Sequence, residues 1–130
     1  MKKTRIWRVL LFAYLIILLC ISLSAYFDLL PEILNKIPNY DIIMHFILLG
    51  FAGYLSHRAL NRRFWLNGWI PAGPVIVSLL SVVEECSQML SPVRSFSLQD
   101  MLANLSGIAI FYLADIIISG QYKSDSKEAN

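Results

Sequence analysis

Four apolar runs occupy most of this 130-residue chain, each near the roughly 20 residues that a helix needs to cross a hydrocarbon core about 30 Å thick. They cover residues 6–26, 40–60, 65–90 and 100–119. In lipid each backbone polar group must find its partner inside the protein, so runs of this length fold as helices. Short connections make successive helices antiparallel. The expected fold is all-α, an integral membrane bundle of four antiparallel transmembrane helices. Residues 1–120 read as one domain without internal repeats, and the polar tail 121–130 reads as disordered and cytoplasmic.

Composition excludes the main alternative. With 57% hydrophobic and 15% charged residues and a mean hydropathy of +0.60, the chain is too apolar for an ordinary soluble domain. The first run follows Lys2, Lys3 and Arg5 in the manner of a signal peptide. Its apolar stretch exceeds the usual ~7–15 residues of a signal core, which favours a retained helix. Cys20 lacks the preceding small residue of a lipidation site, and Cys20 and Cys86 read as thiols packed inside the membrane.

Orientation follows from the basic residues. With a cytoplasmic N-terminus, that side carries Lys2, Lys3, Arg5, Arg8, Arg58, Arg62, Arg63, Lys123 and Lys127, and the other side only Lys36 and Arg94. This bias places both termini in the cytoplasm of a multi-pass protein of the plasma (inner) membrane. The net charge of +2 is then a matter of topology, with no nucleic-acid partner implied.

The same orientation brings the unusual residues to one depth in the outer half. Asp41 opens the second helix and His45 lies one turn, about 6 Å, deeper. Ser78, Ser81, Glu85 and Gln88 form a polar stripe down the third helix, Arg94 lies in the loop beyond it, and Asp100, Asn104 and Gly107 line one face of the fourth. Ionisable groups at membrane depth are costly and mark a site by default. Glycines and alanines at 50, 52, 53, 103 and 107 allow close helix approach.

Each of these residues also has a structural explanation. Ser97 and Asp100 fit a capping box at the start of the fourth helix. Asn39 is a candidate cap for the second helix, with Asp41 in its first turn. His45 reads as a hydrogen-bonded packing residue, Glu85 with Arg94 as an ion pair and Asn104 as interhelical glue. Capping, however, leaves His45, Glu85 and Asn104 unexplained one turn inside. Asp115 and His57 lie near the cytoplasmic ends and read as interface residues.

The segments Asp41-Ile42-Ile43-Met44-His45-Phe46, Glu85-Cys86-Ser87-Gln88, Arg94 to Asp100 and Met101 to Gly107 together resemble the VanZ-like family of small bacterial membrane proteins. Ile42 stands where many relatives carry lysine. The resemblance implies a cell-envelope role, since the family is named for a member that raises tolerance to teicoplanin. It marks Asp41, His45, Glu85, Gln88, Arg94, Asp100, Asn104 and Gly107 as the motif residues.

Three functional readings follow. In the first, the polar layer is an outward-facing pocket for an anionic lipid or lipid-linked envelope precursor. Arg94 pairs with phosphate or carboxylate and Gln88 and Asn104 orient the ligand. In the second, the chain is an outer-leaflet enzyme with His45 as general base, Asp41 or Asp100 orienting it and Glu85 as acid. In the third, it is a structural accessory of a membrane complex, as a homo-oligomer or beside a partner protein. Gly107 and Ser97 have structural roles throughout. No nucleophile motif or metal-ligand spacing is present, so neither metal nor cofactor is expected.

Overall fold

A computed structural model of the protein describes residues 2–92 and 94–128, with the side chains of 2, 3, 35 and 121–128 outside the description. Four helices dominate: α1 (Lys2–Tyr26), α2 (Tyr40–Ala59), α3 (Ala72–Ser87) and α4 (Leu98–Glu128). Segments of all four are long and apolar enough to cross a membrane, namely Thr4–Tyr26, Tyr40–Ala59, Ala72–Leu90 and Leu98–Gly120. Helix α4 passes residue 120 without a break. The tail expectation concerns 121–130, where side chains lie outside the described residues and 129–130 are not described at all.

Local chemistry sets the helix ends. Helix α1 stops before Asp28, whose φ of 56° is left-handed, and Pro31 follows. Asn39, expected to cap α2 through its side chain, instead turns the chain with φ 56° and makes no cap hydrogen bond. That left-handed conformation, tolerated by asparagine, redirects the chain into α2 without supplying a side-chain acceptor to its first turn. The largest departure precedes α3. The expected span from residue 65 begins only at Ala72, because residues 64–71 form a small antiparallel hairpin pairing Phe64 with Pro71 and Trp65 with Ile70. Leu66, Asn67 and Gly68 take positive φ at its tip. Its apolar residues run on into α3, which hid the boundary.

Helix α2 is the hub, packing on each of the other three. It runs parallel to α4, with His45 opposite Asn104, Gly50 opposite Gly107 and Arg58 opposite Asp115. Glycine makes this approach feasible: a Cβ on Gly107 would overlap the Phe46 backbone, and one on Gly50 would lie 2.7 Å from the Phe111 ring. Gly73 likewise lets α3 meet the Ser56–His57 backbone of α2.

The interior reverses that of a soluble protein. Ala52, Val77 and Ile108 form a small apolar core, yet the largest fully buried side chains are His57, Gln88, Glu85, Asn104 and Asp115. Phe12, Leu79, Leu113 and Ile117 are exposed on the outside. Polar groups inside and hydrocarbon outside is the arrangement that lipid as solvent selects. Cys20 and Cys86 are free thiols exposed on the bundle surface.

Candidate functional site

The end of the bundle that carries the 27–39 and 88–97 connections gathers the expected polar layer. Its anchor is the start of α4. Ser97 Oγ accepts the Asp100 N–H at 3.2 Å, half of a capping box. The reciprocal half comes from another helix: Glu85 Oε1 on α3 accepts the Ser97 N–H at 2.8 Å. Glu85 is fully buried, and its contact ties the end of α3 to the beginning of α4. Relieved of capping, the Asp100 carboxylate faces His45, with Oδ2 3.9 Å from Nε2.

His45 is hydrogen-bonded on one side of its ring and faces a carboxylate on the other. Nδ1 lies 3.0 Å from Asn104 Oδ1, so with that oxygen as acceptor Nδ1 carries the proton. A neutral His45 then presents a bare Nε2, and a protonated one directs Nε2–H towards Asp100. Asn104 is buried behind it. Two buried polar atoms at this junction, Glu85 Oε2 and Asn104 Nδ2, have no hydrogen-bond partner among the described residues. Buried polar atoms without partners are rare and mark places where a structure serves something other than stability.

Beside this junction lies an open-sided cavity of about 420 Å³ lined by α1, α2, α3, the 27–39 connection and Arg94, within the size range of small-molecule sites. Its polar rim comprises Ser22, Tyr40, Asp41, His45, Glu84 and Arg94, and its walls are hydrocarbon from Leu15, Leu18, Leu48 and Leu80 among others. Arg94 makes no ion pair among the described residues, so the expected Glu85–Arg94 bridge does not form. It stands near enough to Tyr40 to act on it electrostatically, as do Asp41 and Asp100.

Four residues of the expected polar layer therefore line the cavity, namely Asp41, His45, Ser81 and Arg94. Asp100 and Asn104 reach it through His45, while Glu85 and Gly107 support the helix junctions behind it. Gln88, 2% exposed, donates to Glu84 Oε1 at 3.1 Å and so acts on the rim indirectly. Glu84, outside the polar layer expected from the sequence, is the rim residue, and Ser22 Oγ donates to it at 3.3 Å. Helical phase separates Glu84 from Glu85 by about 100°, but which of them meets a cavity depends on where α1 stands. Among the described residues no group of three His, Cys, Asp or Glu side chains is placed to hold a metal ion.

The opposite end holds a second polar cluster that sequence reasoning missed. Asp115 and His57, expected at the interface, are each 2% exposed. Arg58 donates to Asp115 Oδ1 through Nε at 2.8 Å and also through its terminal nitrogen; Arg62 pairs with the same oxygen at 3.5 Å and hydrogen-bonds to Ser119. Arg58 also lies over the Trp7 and Tyr54 rings, each at 5.3 Å. Two opposite charges inside apolar spans were the available signal, because in lipid such charges pair.

No curated protein and no solved structure matches the chain. The family model described as VanZ/LLP1 matches residues 2–119, nearly the whole helical region. The chain is a member of the VanZ/LLP1 family.

Proposed function

We propose that the protein binds an anionic lipid or lipid-linked envelope precursor at the rim of this cavity, from the outer leaflet of the plasma membrane. The observation that carries the reading is Arg94, a cation without an ion-pair partner among the described residues at the mouth of a chamber with hydrocarbon walls. Guanidinium matches phosphate and carboxylate geometry, and at a partly dry site such contacts are strong. Asp41 and Glu84 restrict the rim to ligands that also carry donors, such as hydroxyl or ammonium groups. The basic residues near the termini and the 58–63 turn favour a cytoplasmic position for that end, which turns the cavity outward. An effect on teicoplanin susceptibility is a family-level extension of this reading.

The geometry of His45 favours a second reading, catalysis on the same ligand. An imidazole fixed by Asn104, facing Asp100 and bordering a cavity is oriented as a general acid or base is. Glu85 is less suited to the acid role, being buried outside the cavity lining and committed to the Ser97 N–H.

Comparative mass spectrometry of envelope lipids separates the two. Cells lacking the protein are complemented with wild type, His45→Ala or Glu85→Gln at matched membrane abundance. Binding alone predicts unchanged lipid chemistry in all strains. A lipid species that requires wild type and disappears with His45→Ala would replace the binding reading with the enzymatic one.

A further inference from the structure

The cavity is bordered on one side by a helix with a single main neighbour. None of the described side chains of α1 is buried, and α1 packs extensively on α2 alone. Its polar and aromatic attachments to α2 lie in its first half: Trp7 lies edge-on to Tyr54 at 5.9 Å, Arg8 Nε donates to Ala59 O at 3.3 Å, and Tyr14 OH donates to Leu48 O at 2.9 Å. Beyond them Leu18 packs, partly buried, against the apolar core. Further along, α1 contributes Leu15, Leu18 and Leu19 to one wall of the cavity while α3 contributes Val77 and Leu80 to the other. Among the described residues one hydrogen bond crosses this seam, from Ser22 to Glu84 Oε1.

That bond is built to open at little cost. At 3.3 Å it is longer than the usual ~2.5–3.0 Å of a hydroxyl hydrogen bond. Glu84 Oε1 also accepts from Gln88, so the carboxylate keeps a partner when Ser22 leaves. The first half of α1 is anchored further by Arg58, whose guanidinium lies over the Trp7 ring.

We propose that the chamber holds a hydrocarbon chain of the membrane amphiphile whose head the rim binds, and that this chain arrives sideways from the bilayer between α1 and α3, with Ser22–Glu84 as the latch. The proposal rests on the binding reading above and adds to it the ligand class and the route. Leucine walls at membrane depth offer nothing to a water-soluble head group and favour an acyl or isoprenoid chain, whose burial there replaces lipid contacts with protein contacts. Ligand and lipid then exchange without the chain crossing the polar rim.

The test uses the full chain in nanodiscs with Cys20→Ser, Cys86→Ser, Ser22→Cys and Glu84→Cys. A short bis-methanethiosulfonate reagent links the two new thiols before addition of phosphatidylglycerol bearing a diazirine on its acyl chain. The expected result is photolabelling of chamber-wall peptides in the unlinked protein, a fall of about tenfold or more on linking, and recovery when a reductant removes the link. Recovery in the same sample shows that the fold survived. Equal labelling before and after linking would overturn sideways access. Absence of wall labelling in both states, or full competition by chainless glycerophosphoglycerol, would overturn the chain chamber. Neither failure touches head-group binding, which is read separately from lipid retained by Arg94→Gln.

Discussion

Glu85 illustrates how a residue singled out as chemical works through another. Its Oε1 completes the cap of α4, and the same contact sets the helix whose Asp100 and Asn104 hold His45. Glu85→Gln retains an acceptor oxygen for the Ser97 N–H and should unfold in detergent close to wild type. Glu85→Ala orphans that donor and should cost about 1–3 kcal/mol, read as a lowered midpoint of denaturation. At the opposite end, Asp115→Ala leaves Arg58 and Arg62 without their shared carboxylate. We expect a loss of about 3 kcal/mol, near the low end for broken buried pairs because both guanidinium groups are partly exposed. Replacing Arg58 by Met and Asp115 by Leu together should restore much of it in the same unfolding assay. Single residues were the hardest part to read from sequence. His45, Asp41 and Arg94 were legible as site candidates from depth and helical phase, whereas Glu84 and the Arg58–Asp115 pair depend on neighbours contributed by other helices.

At the scale of elements, packing is set by what the helices lack. Gly107 has no room for a methyl group against the Phe46 backbone, whereas Gly120 on the same helix has nothing within 4 Å of an added Cβ. Gly107→Ala should therefore separate α2 from α4 and cost about 1–3 kcal/mol by overpacking. Gly120→Ala should be neutral or stabilise by up to about 1 kcal/mol through helix propensity. Thermal unfolding of the two variants in the same detergent checks both, and equal midpoints would remove the close-approach argument. The four helices were legible because lipid leaves the backbone few choices. The hairpin at residues 64–71 was not, because Phe64, Trp65, Leu66, Trp69 and Ile70 continue the apolar run of α3 and only Asn67-Gly68 interrupts it. Periodicity cannot locate a boundary inside such a run.

In the whole molecule α2 packs on α1, α3 and α4, α1 packs extensively on α2 alone, and the cavity lies between α1 and α3. Sequence gave no access to it: four apolar spans are compatible with α1 packed anywhere around the bundle. Its direction in the membrane rests on the basic residues. Single cysteines introduced as Lys36→Cys or Arg63→Cys, with Cys20→Ser and Cys86→Ser, should show the first reacting with a membrane-impermeant maleimide on intact cells and the second only after permeabilisation. The reverse pattern would turn the cavity to the cytoplasm.

We propose that Arg94 makes the rim an anion-binding site, and lipid retained through purification reports that binding. Native mass spectrometry of the detergent-purified protein should show bound anionic lipid on wild type, reduced about tenfold or more in Arg94→Gln, with zwitterionic lipid little changed. Equal retention of anionic lipid by both proteins would contradict the account.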